Sequence, residues 1–150
     1  MSVRLTKKIT FPPGDLCLKV DYEIHNDGEK TLNARFLSEW NLTLLAGDSP
    51  DRFYFVDGRG LDDPRLCSRG EDQEVTRAGM TDRWLGLTVA FESLVPGRFY
   101  RYPVETVSQS EGGFERVYQG SCLSWGWDLD LAPNATAFLT LSLRLEAQQP

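Results

Sequence analysis

The chain has 150 residues, of which 41% are hydrophobic and 25% charged, and its formal net charge is −6. This balance is typical of one folded, soluble domain and excludes a disordered chain. No apolar run reaches the roughly 20 residues of a membrane helix, and an acidic domain has no long-range attraction for nucleic acid.

Alternation of apolar and polar residues predicts the strands of the first half. Val3–Phe11 is predicted as a strand that stops at a Pro-Pro-Gly-Asp turn, and Leu16–Asn26 as a half-buried antiparallel strand. Thr31–Leu45 is predicted as a longer strand with large apolar side chains on both faces. That pattern indicates a central strand covered on both sides for part of its length.

The second half is predicted to hold shorter strands and one long hairpin. A surface connection, Asp57–Gly70, separates the two parts and is rich in Gly, Asp and Arg. The hairpin turns at Glu111-Gly112-Gly113, since glycine accepts the positive φ of tight turns. The predicted strands are Phe53–Val56, Glu74–Ala78, Arg83–Phe91, Phe99–Ser110, Phe114–Trp125 and Ala135–Glu146.

The predicted elements define the fold class. Strands with frequent turn signals and no convincing 3.6-residue period favour an antiparallel sandwich or barrel. The strands are long for an immunoglobulin-like domain, and no Cys…Trp…Cys framework is present. We therefore predict an all-β chain, folded as one large two-sheet antiparallel β-sandwich over residues 1–150.

The sequence offers little for a catalytic or metal centre. Its single histidine, His25, falls on the polar face of a predicted strand, where a surface role is the default. The three cysteines are an odd number without CxxC spacing, which argues against a zinc site and a disulfide framework and indicates a reducing compartment. No signal-peptide pattern follows Met1. We expect a cytoplasmic chain with no metal and no cofactor.

Polar side chains that can bind sugar hydroxyls are concentrated in and around the hairpin. Glu105, Ser108, Ser110 and Glu111 lie there, and Glu39 and Asn41 flank Trp40 on the long strand of the first half. An exposed indole can stack on the apolar face of a sugar ring, whereas a core indole cannot. Trp84, Trp125 and Trp127 are predicted to be core residues.

Two segments resemble a known family. They are Phe36-Leu37-Ser38-Glu39-Trp40-Asn41-Leu42 and the run from Pro103 to Glu115 that contains SQSEGGFE, with Val117–Ser121 following. They resemble the C-terminal β-sandwich domain of glycoside hydrolase family 57, the α-amylases and 4-α-glucanotransferases, and the similarity covers nearly the whole chain.

This resemblance implies a galactose-mutarotase-like supersandwich and a non-catalytic accessory role. The catalytic carboxylates of such enzymes lie on a separate barrel, so the implied partners are that barrel and an α-glucan or maltooligosaccharide. This chain would then be a fragment of a longer glycoside hydrolase. The candidate sugar-binding residues are Glu39, Trp40, Asn41, Glu105, Ser108, Ser110 and Glu111.

Two alternatives stay open at this stage. The polar hairpin could be purely structural and stabilise an interface with the missing barrel. The chain could instead be a stand-alone epimerase or hydrolase, which requires a cleft with two facing carboxylates. The epimerases of this fold pair histidines with a glutamate, and His25 is the single histidine of this chain.

Overall fold

The computed structural model describes residues 2–110 and 113–147, in which eight antiparallel strands and no helix are found. Every pair of neighbouring strands is antiparallel. The described part of the chain therefore contains no helix long and apolar enough to cross a membrane. The strands are β1 (Val3–Thr10), β2 (Cys17–Asn26), β3 (Leu32–Leu42), β4 (Arg52–Val56), β5 (Gly70–Asp82), β6 (Leu87–Ser110), β7 (Gly113–Leu131) and β8 (Thr136–Ala147).

The strands form two layers joined by a bent strand. The first layer has the strand order β1-β2-β8-β6-β5-β4. The second layer is built from β3, β7 and the second half of β6. Residues 87–92 of β6 pair with β8, whereas residues 98–110 pair with β7. The change falls at a segment containing Pro96 and Gly97, opposite register shifts in β5. Such a corner lets one strand serve both sheets of a sandwich.

The core lies between these two layers. Trp125, Phe91 and Phe99 are at most 1% exposed. Tyr22 of β2 packs edge-on against Phe36 of β3, with ring centroids 4.9 Å apart. Each large side chain buried in this way stabilises the fold by roughly 1.5–3 kcal/mol. The all-β sandwich prediction is confirmed, as are the core positions of Trp125 and Trp127.

Several of the strand predictions are wrong in detail. β3 ends at Leu42 and pairs with β7 alone among the described strands, so it is an edge strand and not a central one. Its outer face is open as well. Leu37 on that outer face is 51% exposed. The strand predicted from Arg83 begins only at Leu87 and continues without a break into the strand predicted from Phe99, so the two are one strand, β6. β5 and β7 are longer than predicted.

The prediction that Trp84 lies in the core is also wrong. Trp84 is 79% exposed because residues 83–86 form the turn between β5 and β6. The carboxylate of Asp82 accepts a hydrogen bond from the backbone N–H of Leu85 at 2.9 Å, which closes this turn. The apolar residues Trp84 and Leu85 lie in this turn, although their pattern predicted the start of a strand.

Candidate functional site

The outer face of β3, β7 and β6 carries a polar and aromatic surface. Strand register places Glu39 opposite Ser124, and Ser124 opposite Tyr100. The next row on the same face contains Asn41, Cys122 and Tyr102. Residues directly opposite each other in antiparallel strands share a face, so both rows project away from the core.

The first row and Tyr102 of the second row line an open groove of about 600 Å³. Tyr102 is 41% exposed and Tyr100 is half-buried, so both phenol rings are accessible. A phenol ring combines a flat apolar face with a hydroxyl, which suits a ligand that is part apolar and part polar. The groove is lined by Leu37, Glu39, Arg69, Gly70, Tyr100, Arg101, Tyr102 and Ser124.

The polar groups of the groove interact with one another. Asn41 Nδ2 donates a hydrogen bond to Glu39 Oε1 at 3.3 Å. Hydrogen bonding with the Cys122 thiol, together with burial, raises the pKa of Tyr102 to about 12. Burial raises the pKa of the Cys122 thiol as well. At neutral pH Tyr102 therefore presents a neutral phenol to the groove, and the buried Cys122 thiol behind it is not a reactive thiolate.

A buried ion pair lies beneath the groove. The guanidinium of Arg101 is paired with the carboxylate of Asp72, and the Arg101 side chain is only 7% exposed. It also lies over the ring of Tyr54, 5.8 Å from the centroid. A Cβ added at Gly70 would stand 2.3 Å from the guanidinium carbon, so a larger residue here would displace the Arg101 guanidinium. The pair fixes β5 against β6 at the floor of the groove.

Of the predicted site residues, only Glu39 lines this groove. Asn41 lies on the same face in an adjacent depression of about 210 Å³, whereas the side chain of Trp40 points to the core. The Trp40 ring packs edge-on against Phe91 at 5.5 Å, and its Nε1 donates to Ser38 Oγ at 2.9 Å. Trp40 therefore offers no exposed plate for stacking.

The remaining candidates lie at the far end of the β6–β7 hairpin. We call this part, in which residues 105–110 pair with residues 113–118, the hairpin arm. Glu105 faces a separate depression of about 400 Å³, between Arg116 at 3.5 Å and Arg69 at 3.9 Å. Ser108 is exposed farther along the arm, six residues beyond Tyr102, which is about 20 Å along a strand. Ser110 ends β6, and Glu111 lies outside the described residues.

Sequence reasoning missed Tyr100 and Tyr102. The segment Phe99-Tyr100-Arg101-Tyr102 alternates with period two, and Phe99 is buried. Extending that alternation would have placed both tyrosines on the outer face. What no local pattern shows is that this outer face also carries Glu39, which lies in a strand far away in sequence.

Other potential catalytic groups lie elsewhere. His25 is on the first layer, where its Nδ1 is 2.7 Å from Thr136 Oγ1 and its Nε2 is 3.3 Å from Asp27. Within residues 2–110 and 113–147, no group of three or more His, Cys, Asp or Glu side chains could hold a metal ion. The carboxylate of Asp57 accepts a hydrogen bond from Arg77, and that of Asp63 accepts one from Arg65.

Comparison with known proteins gives a consistent family match. The family described as alpha-amylase/4-alpha-glucanotransferase, C-terminal, matches residues 1–141. Alpha-amylase 1 of Dictyoglomus thermophilum is 37% identical over 119 residues, which is 78% of this chain but 16% of that relative. The chain thus spans a small part of the relative's length.

Solved structures share the fold at low sequence identity. The 4-alpha-glucanotransferase of Thermococcus litoralis superposes with a TM-score of 0.67 at 20% identity, over 95% of this chain and 18% of that chain. A putative aldose 1-epimerase of Escherichia coli K12 superposes with a TM-score of 0.69 at 14% identity, over 97% of this chain and 60% of that one. These likenesses establish the galactose-mutarotase-like sandwich and do not extend to activity.

Proposed function

This chain belongs to the C-terminal domain family of α-amylases and 4-α-glucanotransferases, and we propose that it is a non-catalytic accessory domain that binds α-glucan. The observation that carries the proposal is the groove in which Tyr100 and Tyr102 stand beside Glu39, with Asn41 next to it on the same face of the sheet. Its catalytic partner would be the barrel domain of a larger enzyme. Three cysteines without disulfides support a cytoplasmic location.

In this proposal the aromatic and the polar side chains of the groove contact different parts of each sugar ring. The two tyrosine rings pack on the apolar C–H faces of glucose units, and Glu39 accepts hydrogen bonds from hydroxyls. Asn41 can both donate and accept hydrogen bonds. Each contact replaces a contact with water, so the net gain per hydroxyl is small and the affinity of a single domain is weak.

The hairpin residues have a second place in the proposal. Glu105, Ser108, Ser110 and Glu111 would contact a longer glucan, or the barrel, beyond the end of the groove. Trp40 contributes to packing beneath the surface and not to stacking. Its neighbours Glu39 and Asn41 keep their sugar-binding assignment.

Titration with maltohexaose, followed by ¹H–¹⁵N NMR, tests the groove. We expect shifts at Glu39, Tyr100 and Tyr102 at millimolar sugar, and Tyr102→Ala should weaken binding about tenfold, or about 1.4 kcal/mol. The matched control is Phe138→Ala, because Phe138 is 71% exposed on the first layer. Absence of shifts at millimolar sugar would leave only a structural role.

A purely structural interface domain is the second candidate function. The hairpin arm favours it, because Val107, Phe114 and Val117 are 62%, 81% and 42% exposed there. Exposed apolar side chains in one region commonly mark a contact with another domain. A stand-alone hydrolase or epimerase is disfavoured by the placement of His25; maltooligosaccharide cleavage lost on Glu39→Gln would reverse that assessment.

A further inference from the structure

The first layer extends beyond the second along its β1 side. Tyr22 of β2 touches both Phe36 and Ser38 of β3, so β3 lies over β2. β1 is the next strand outward in the first layer and pairs with β2 alone. No second-layer strand among the described residues has a counterpart position over β1.

The side chains of β1 that face the core side are apolar except for Lys7, and they are uncovered. Val3, Leu5 and Ile9 stand opposite Asn26, Ile24 and Val20, which are at most 3% exposed. Opposite residues share a face, so all three point toward the interior of the sandwich. They are nevertheless 41%, 50% and 50% exposed, and Phe11 beyond them is 70% exposed. We call Val3, Leu5, Ile9 and Phe11 the β1 ledge.

The ledge lies beside an unpaired strand edge. β3 pairs with β7 on one side, and its other edge faces the β1 side of the sandwich. Every second residue of an edge strand directs its N–H and C=O away from the sheet, which is a template for a further strand. A strand added at β3 would lie directly over β1 and cover the ledge.

We propose that the β1 ledge and the free edge of β3 form the docking surface for one β-strand, supplied by the catalytic part of a larger amylase-type enzyme. The inference rests on the accessory role proposed above and names the surface through which the domain is attached. The similar enzymes are much longer than this chain, which spans 16% of alpha-amylase 1 and 18% of the 4-alpha-glucanotransferase. The rest of an enzyme of that length could supply the docking strand.

The chemistry of the ledge specifies the incoming strand. It must alternate, with apolar side chains turned toward Leu5 and Ile9 and polar ones toward solvent. Lys7 stands between these two residues on the same face, and it is exposed. The position facing Lys7 should therefore carry an acidic or hydroxyl side chain, because a buried ammonium needs a partner.

Hydrogen exchange measured by mass spectrometry tests the proposal on the chain as it exists. In the isolated 150-residue chain, the outward amides of β3 should exchange as fast as those of the loop at residues 60–62. Strong protection of every β3 amide in a monomer would overturn the proposal. A dimer that Leu5→Lys with Ile9→Lys converts to monomers would also overturn it, since the occupant would then be a second copy.

A chimera provides the positive test. The chain replaces the matched segment of Dictyoglomus thermophilum alpha-amylase 1, and exchange of β3 should slow at least about tenfold relative to the isolated chain. Leu5→Lys with Ile9→Lys should abolish this protection, whereas Phe138→Lys on the outer face should leave it intact. Protection confined to the hairpin arm would place the interface there instead. If the chimera does not fold, the isolated-chain measurement decides.

The ledge and the sugar groove can fail separately. The ledge substitutions lie on the first layer and should leave the maltohexaose shifts at Tyr102 unchanged. If β3 is not protected in the unsubstituted chimera while sugar binding is intact, the docking surface alone is refuted. If β3 is protected there but maltohexaose causes no shifts, the glucan site alone is refuted.

Discussion

Two neighbouring carboxylates of β5 provide a sharp test of how the groove floor is built. Asp72 pairs with Arg101 on the core side, where the two side chains are 16% and 7% exposed. Glu71 pairs with Arg98 on the outer face at 3.1 Å, where they are 44% and 26% exposed. The same pair of strands thus holds one buried and one exposed ion pair, one residue apart.

Asp72→Ala should destabilise the domain far more than Glu71→Ala. Removing one partner of a buried pair leaves an uncompensated charge, which costs about 3–5 kcal/mol. The Nε of Arg101 already has no hydrogen-bond partner in the described structure, so the guanidinium has little alternative compensation. An exposed pair contributes at most about 1 kcal/mol. Replacing both partners, Arg101→Met with Asp72→Leu, should recover most of the loss.

Urea unfolding of the four proteins measures the difference. With a slope of about 2 kcal/mol per molar urea, the Asp72→Ala midpoint should fall by about 1.5–2.5 M. For a domain of this size the melting temperature should fall by about 6–20 °C. Losses below about 1 kcal/mol for both single variants would refute the reasoning, because they would show that water in the groove solvates Arg101.

Two further predictions address packing and titration. Gly79→Ala should destabilise the domain by about 3 kcal/mol in urea unfolding, because the added Cβ would stand 2.0 Å from the carbonyl oxygen of Val89; Gly60→Ala, with nothing within 4 Å, is the matched control and should be nearly neutral. The raised pKa of Tyr102, about 12, means that its neutral form is favoured in the folded state. Its contribution to stability should be complete below about pH 10, the unfolded value, and lost as pH rises through about 12. The absorbance difference at the tyrosinate band between the wild type and Tyr102→Phe reports the midpoint, and Cys122→Ala should lower it; an unshifted midpoint near the unfolded value would contradict the proposed coupling.

Much of the fold followed from alternation along single strands. β2 and β8 were predicted closely, because side chains on a strand alternate between two faces whatever the strand pairs with. The pairing of Phe99–Ser110 with Phe114–Trp125 is also confirmed, although β6 begins earlier and β7 ends later than predicted. The same local rule placed Trp125 and Trp127 in the core. The two segments PVETVSQSEGGFE and FLSEWNL indicated the family, which the comparison confirmed.

The candidate site depended on contacts between distant parts of the chain. Glu39 meets Ser124 and Tyr100 only because β3 pairs with β7 and β7 pairs with β6. Alternation assigns a residue to a face, but it does not say which face is covered. The open outer face of β3 was missed for this reason, because the sequence does not distinguish an exposed Leu37 from a buried one.

What the sequence by itself determined is the β class, the approximate strand bounds and the identity of the family. These depend on short-range periodicity and on residue identity, both of which are visible along the chain. What only the tertiary structure decided is the neighbourhood of each side chain. Trp84 lies on a turn and Tyr102 lines a groove because hydrogen bonding across strands, and not local preference, decides where a strand begins and which faces meet solvent.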